Sequence, residues 1–163
     1  MRTSHVRFAV LILAGIGIFH SCCKEADVFN AEEEKIQAER AIRNSIGWAK
    51  DKDLALLYGT IANDADYTEV SPEGRVTKGF EEFKQNEAFW MHPDFKAVRY
   101  EIRDLRLTLS ESGTVAWFYC VLDDINEWKG QPCSWENVRW TGVLEKRKGQ
   151  WRMVQGHFSY AVK

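Results

Sequence analysis

The chain has 163 residues, which supplies one domain of ordinary size and leaves no material for a second core. A hydrophobic fraction of 45% and a charged fraction of 28% are those of a folded soluble protein, and nine Phe, seven Trp and five Tyr promise a well-filled interior. The formal charge is −2 and the densest basic run is the turn Lys146-Arg147-Lys148, so a phosphate-binding surface is excluded and nucleic acid is no partner.

The N-terminus departs from this pattern. Arg2 and Arg7 form a basic start, Phe8 to Phe19 is a continuous apolar run, and His20-Ser21 precedes Cys22, the three-part layout of a secretory signal. Twelve residues at about 1.5 Å each reach about 18 Å, short of the roughly 30 Å hydrocarbon core, which disfavours a spanning helix. Phe19-His20-Ser21-Cys22 resembles a bacterial lipobox, and that resemblance implies cleavage before Cys22 and lipidation of its thiol. The alternative is an ordinary cleaved signal that leaves Cys22 and Cys23 as incidental thiols. Cys23 stands where an Asp would resemble an inner-membrane retention signal, and Lys24, Glu25 and Asp27 resemble the charged stretch of surface-exposed lipoproteins. The expectation is therefore a signal peptide over 1–21, a tether over 22–31 and one domain over 32–163. Its place is the cell envelope, on the outer membrane at the periplasmic or surface face, with the membrane met through the lipid anchor. Losing Arg2 and Arg7 but no acid takes the formal charge from −2 to −4.

Ala38, Ala41, Ile42, Ser45, Ile46 and Ala49 recur at helical spacing and define one buried stripe. Asp51-Lys52-Asp53 breaks that helix and caps a second, short one carrying Leu54, Leu57, Tyr58 and Ile61. Asp64 to Val70 alternates as an extended segment, and Ser71-Pro72-Glu73-Gly74 turns it into a hairpin with Arg75 to Lys78. Gly79 opens a third helix with Phe80, Phe83, Glu87 and Trp90 on one side, closed by His92-Pro93.

From Lys96 the period becomes two. Val98, Tyr100 and Ile102 share one phase, Leu105, Leu107 and Leu109 the other, so one extra residue near Arg103-Asp104, a β-bulge, would keep all of them on one face and bend the strand. Strands over 114–126, 133–146 and 150–162 complete a meander, with turns at 110–113, 127–131 and 148–149. If Lys129-Gly130 turns the middle hairpin, Cys120 faces residues near 138 or 139 and lies about 20 Å from Cys133. A disulfide needs Cα atoms within about 7 Å, so both cysteines are expected free. The fold class is α+β: three N-terminal helices packed in a strongly curved mixed or antiparallel sheet. A sheet curled around one long helix leaves a cone whose wide end is a natural pocket.

Lys52-Asp53-Leu54, Asp66-Tyr67-Thr68-Glu69, Gly74 and Gly79 resemble the first half of the nuclear transport factor 2-like (NTF2-like) superfamily. Thr141 to Trp151, followed by Gln155-Gly156-His157-Phe158-Ser159, resembles the terminal hairpin of its SnoaL-like subgroup and of the association domain of calcium/calmodulin-dependent kinase II. The resemblance spans about residues 32 to 162. It implies a cone-shaped pocket, frequent homodimers through the sheet and diverse functions, so fold alone does not give activity. The kinase domain carries pocket arginines where this chain has Gly142 and Phe158, with Arg139 as a substitute.

His157 shares parity with Trp151, Met153 and Ser159, which would aim its imidazole into the pocket as an acid or base; the alternative is a structural histidine closing the cone. Asp66, with Asp64 and Glu69 as rivals, would be a carboxylate at the pocket rim with a raised pKa. Arg139 would either bind an anion or pair with an acid on the outer face, depending on which face of its strand points inward. Tyr58, Trp90, Trp117, Tyr119 and Trp151 are expected as core or pocket wall. No metal-ligand spacing, phosphate-cradling loop or nucleophile elbow exists, so no metal or cofactor is expected. The reading is a domain that binds a small, largely apolar molecule. Two alternatives remain open: a cofactor-free isomerase, dehydratase or cyclase using Asp66 and His157, or a non-catalytic oligomerisation module.

Overall fold

The computed structural model describes residues 30–161, so the signal segment and Cys22 lie outside the described residues. Helix α1 runs Ala31–Gly47, capped by the Asn30 side chain, which accepts from the Glu32 and Glu33 amides. Its buried stripe is Ala38, Ala41, Ile42 and Ser45, with Glu34 added one turn earlier. After a single 3-10 turn at Trp48–Lys50, Asp53 caps α2 (Leu54–Thr60) by accepting from the Leu56 amide at 2.9 Å. The hairpin of β1 (Thr68–Val70) and β2 (Val76–Lys78) turns at Gly74, whose φ of 87° suits glycine. The third expected helix is two pieces, α3 (Phe80–Lys84) and α4 (Glu87–Trp90), broken at Gln85-Asn86.

Four long strands follow: β3 (Phe95–Leu109), β4 (Val115–Trp128), β6 (Trp135–Arg147) and β7 (Gln150–Ser159), with β5 (Gln131–Pro132) extending the β4 hairpin. The sheet is mixed, in the order β2-β1-β7-β6-β4-β3, because β1 lies parallel to β7. No described helix is long and apolar enough to cross a membrane.

Bulges set the curvature. The one expected near Asp104 is present between Arg103 and Arg106, with Asp104 at φ 53°, and it keeps Ile102, Leu105, Leu107 and Leu109 against the core. A second at Ala97/Arg99 leaves Val98 48% exposed. Opposite the first, β6 carries an extra residue at Asn137 (φ 54°), whose amide donates to Asp123 Oδ1 at 2.6 Å and whose Oδ1 accepts from Arg103 at 2.8 Å. Arg103 also pairs with Asp123, so one side-chain cluster locks both bulges across β4. The fourth is on β7, where Val154 is the residue inserted between Met153 and Gln155.

The inner face of the sheet packs on α1 through Ala116, Phe118, Cys120, Leu122, Val138, Trp140, Leu144 and Phe158. Val138, Trp140 and Gly142 thus form the inward set of β6, and Arg139 and Thr141 the outward set. Gly142 is dictated by packing: a Cβ there would stand 2.5 Å from a Phe118 ring carbon and 2.8 Å from the Gln155 carbonyl. Cys120 (buried) pairs with Trp140 across the ladder, and Cys133 is exposed; both are free thiols, as the turn geometry required.

Candidate functional site

The wide end of the cone holds a cavity of about 120 Å³. Helix α1 and the turn after it contribute Ser45, Ile46, Trp48 and Ala49, α3 and α4 contribute Phe83 and Trp90, and the sheet contributes Glu69, Phe95, Asp124, Trp135 and Phe158. The aromatic walls hold one another: Trp48 meets Trp90 edge-on at 5.3 Å, Phe83 meets Trp90 at 5.0 Å, and Trp135 meets Phe158 at 5.1 Å. Trp135 is oriented from outside, its indole N–H donating to Glu73 in the β1–β2 turn at 3.1 Å.

Two carboxyl groups enter this apolar hollow. Glu69 sits on β1 and accepts from the hydroxyl of Tyr67, itself only 1% exposed, at 2.8 Å. Burial pushes the Glu69 carboxyl above its ordinary range, and the Tyr67 bond and the field of Arg75 offset only part of that. Asp124 sits on β4, and burial raises its pKa as well, with Asn126 a partial offset. The ion pairs of the described residues lie elsewhere, so neither acid has a cationic partner within salt-bridge distance. The described lining contains no Lys, Arg or His. Chemically the two acids supply one site able to hold, accept or donate protons beside aromatic walls.

The expected site residues divide. Trp90 is a cavity wall. Tyr58 is half-buried and ties α2 to α4 by donating to Glu87 at 2.7 Å, outside the cavity lining. Trp151 is buried, but at the far end of α1, where its N–H donates to Glu34 at 2.9 Å. There it lines a separate cleft between α1 and α2.

Four expectations of placement are corrected. His157 is exposed on the outer face, because the Val154 bulge shifts the parity of β7 and turns Gly156 and Phe158 inward instead. Asp66 is exposed and borders an outer groove with Thr68 and Gln155, its amide turned to Asp64. Trp117 (49% exposed) and Tyr119 (37%) alternate with the inward Ala116, Phe118 and Cys120, so they stand on the outer face and line no cone. Arg139, whose face was left open, lies on the outer face too, its guanidinium donating to the Tyr160 carbonyl rather than to an acid.

Sequence reasoning missed Asp124, Trp48, Phe83, Phe95 and Trp135 as wall residues and ranked Glu69 below Asp66. For Asp124 a signal existed: it continues the inward phase of Ala116, Phe118, Cys120 and Leu122, so a carboxylate was written into a core position. For Glu69 the same parity applied, two residues after the inward Tyr67.

Residues 38–163 match the family model described as a SnoaL-like domain. No curated protein matches the sequence. Among solved structures, the chain is similar to a candidate dehydratase of the NTF2-like family from Streptomyces avermitilis, with a TM-score of 0.70 and 17% identity over 82% of this chain and 100% of that one. It is also similar to a candidate calcium/calmodulin-dependent kinase II association domain from Exiguobacterium sibiricum (TM-score 0.64, 11% identity, 85% and 99% covered). A third is a ketosteroid isomerase-like protein from Erwinia carotovora atroseptica (TM-score 0.60, 17% identity, 83% and 100% covered). At these identities the likeness establishes the NTF2-like fold and nothing finer.

Proposed function

The chain belongs to the SnoaL-like domain family, and from that premise we propose that its domain binds a compact small molecule in the cone cavity, with Glu69 and Asp124 as its polar contacts. The observation that carries this reading is that two half-buried carboxyl groups line one aromatic-walled hollow. Holding two half-buried acids among aromatic rings without a cationic partner at salt-bridge distance is costly, and a ligand that contacts them offsets that cost. About 120 Å³ is below the usual range for drug-sized ligands, so the ligand is small or leaves part of itself outside.

The test is native mass spectrometry of the protein purified without denaturation, beside Ala49→Leu, which adds bulk to the cavity wall. The expected result is a small-molecule adduct on the wild type that Ala49→Leu loses. An adduct retained by Ala49→Leu contradicts the assignment.

A second reading is supported by the raised carboxyl pKa values: acid–base catalysis of the isomerase or dehydratase kind, in which the ionised member removes a proton and the neutral member hydrogen-bonds the substrate. Two of the similar structures carry such names, a candidate dehydratase and a ketosteroid isomerase-like protein. Assembly and location belong to the same proposal. The outer sheet face, with Trp117 and Tyr119 half-exposed on β4, suits a homodimer. The lipobox-like segment ending at Cys22 supports an envelope lipoprotein held on the outer membrane, periplasmic or surface-facing.

A further inference from the structure

Resting on the reading that the cone cavity is the ligand site, we propose that its ligand is a compact organic cation, a substituted ammonium. Charge is the first argument. The cavity presents two carboxyl groups and no basic side chain in its described lining, so an anionic ligand would meet acids there and no side-chain cation. A cation instead supplies the charged partner that these half-buried carboxyls lack at salt-bridge distance.

Shape and surface give the second. The rings of Trp48, Trp90 and Trp135 bound the cavity, and indole faces are the strongest aromatic partners for alkylammonium groups, which carry their charge on an apolar surface. The volume of about 120 Å³ corresponds to about four water-sized groups, the scale of a tetramethylammonium head.

The test uses the full chain purified in detergent and titrated with tetramethylammonium chloride, choline chloride and 3,3-dimethylbutan-1-ol, the uncharged isostere of choline, followed by calorimetry and by tryptophan fluorescence. Choline is expected to bind at least tenfold more tightly than its isostere at neutral pH. Asp124→Asn and, separately, Glu69→Gln keep the shape and are expected to reduce that preference to about threefold or less. An isostere that binds as tightly as choline overturns the charge assignment while leaving the cavity as a ligand site. Failure of all three probes to bind also overturns the proposal, and the comparison with Ala49→Leu then decides the cavity reading separately. A choline preference unchanged in both carboxamide variants overturns it as well, by locating the cation elsewhere.

Discussion

Glu69 on β1 and Asp124 on β4 line one cavity although β7 and β6 lie between their strands in the sheet. A flat sheet would keep such side chains about three strand spacings apart, roughly 14 Å. Curvature brings them to one hollow, and the curvature comes from the bulges at Asp104, Asn137 and Val154 rather than from the helices alone.

The two acids make stability fall with rising pH. A carboxyl whose folded pKa lies above its unfolded value holds its proton longer in the native state, so stability is full below the unfolded pKa of about 4 and is lost as pH climbs through the raised folded value. Glu34 and Asp123 act oppositely: the Lys146 bond lowers Glu34, the Arg103 bond lowers Asp123, and their contribution is lost as pH falls. The double variant Glu69→Gln/Asp124→Asn is therefore expected to gain stability over wild type at pH 7 and to lose that advantage near pH 4. Urea denaturation at the two pH values measures it.

Much of the fold was legible because its signals are local. The helical stripe of α1, the Asp53 cap, the Ser71–Gly74 turn and the phase flip at Arg103-Asp104 each depend on a few neighbouring residues. The break between α3 and α4 was not seen because Phe80, Phe83 and Trp90 keep one helical phase across it. The site was less legible because inward and outward positions were counted by parity, and parity fails past an unmarked bulge. Val154 gives no glycine or phase flip to announce the extra residue, so His157 was aimed into the cone and Phe158 away from it. Asp124 needed no such correction: its parity with Ala116, Phe118, Cys120 and Leu122 runs unbroken along β4, but carboxylates are rare at inward positions.

The Asp123 cluster sits one residue from Asp124 on β4. Asp123→Ala removes the acceptor of the Asn137 amide and the partner of Arg103, at a cost of about 1.5 kcal/mol for a hydrogen bond to a charged group. Because these contacts lock the bulges on both sides of β4, ligand binding in the cone is expected to weaken as well. Calorimetry on Asp123→Ala and Asp123→Asn separates the two effects, with Asn expected to restore part of the binding through the Asn137 bond.

Two glycines should respond in opposite ways to alanine. At Gly142 the new methyl meets the Phe118 ring and the Gln155 backbone, so a loss of about 1–3 kcal/mol or more is expected. At Gly59, in α2, a Cβ meets nothing within 4 Å, and removing unfolded-state freedom should stabilise by about 0.5–1 kcal/mol. Thermal unfolding of both variants checks the difference in sign.

The outer face gives a third contrast. His157→Ala is expected to leave ligand retention unchanged and stability within about 0.5 kcal/mol, since the side chain is exposed outside the cone. Trp117→Glu places a charge among the outer-face aromatics and is expected to convert a dimer to a monomer in light scattering while the cone still binds its ligand. Loss of ligand in His157→Ala would return the imidazole to the site.

The most direct test of two acids in one cavity without a salt-bridge partner is a carbon-detected NMR titration of the Glu69 and Asp124 carboxyls, with and without tetramethylammonium. Both midpoints are expected clearly above the ordinary value of about 4 in the free protein, and both should fall when the cation binds. Midpoints at ordinary values, unmoved by the cation, would contradict the account.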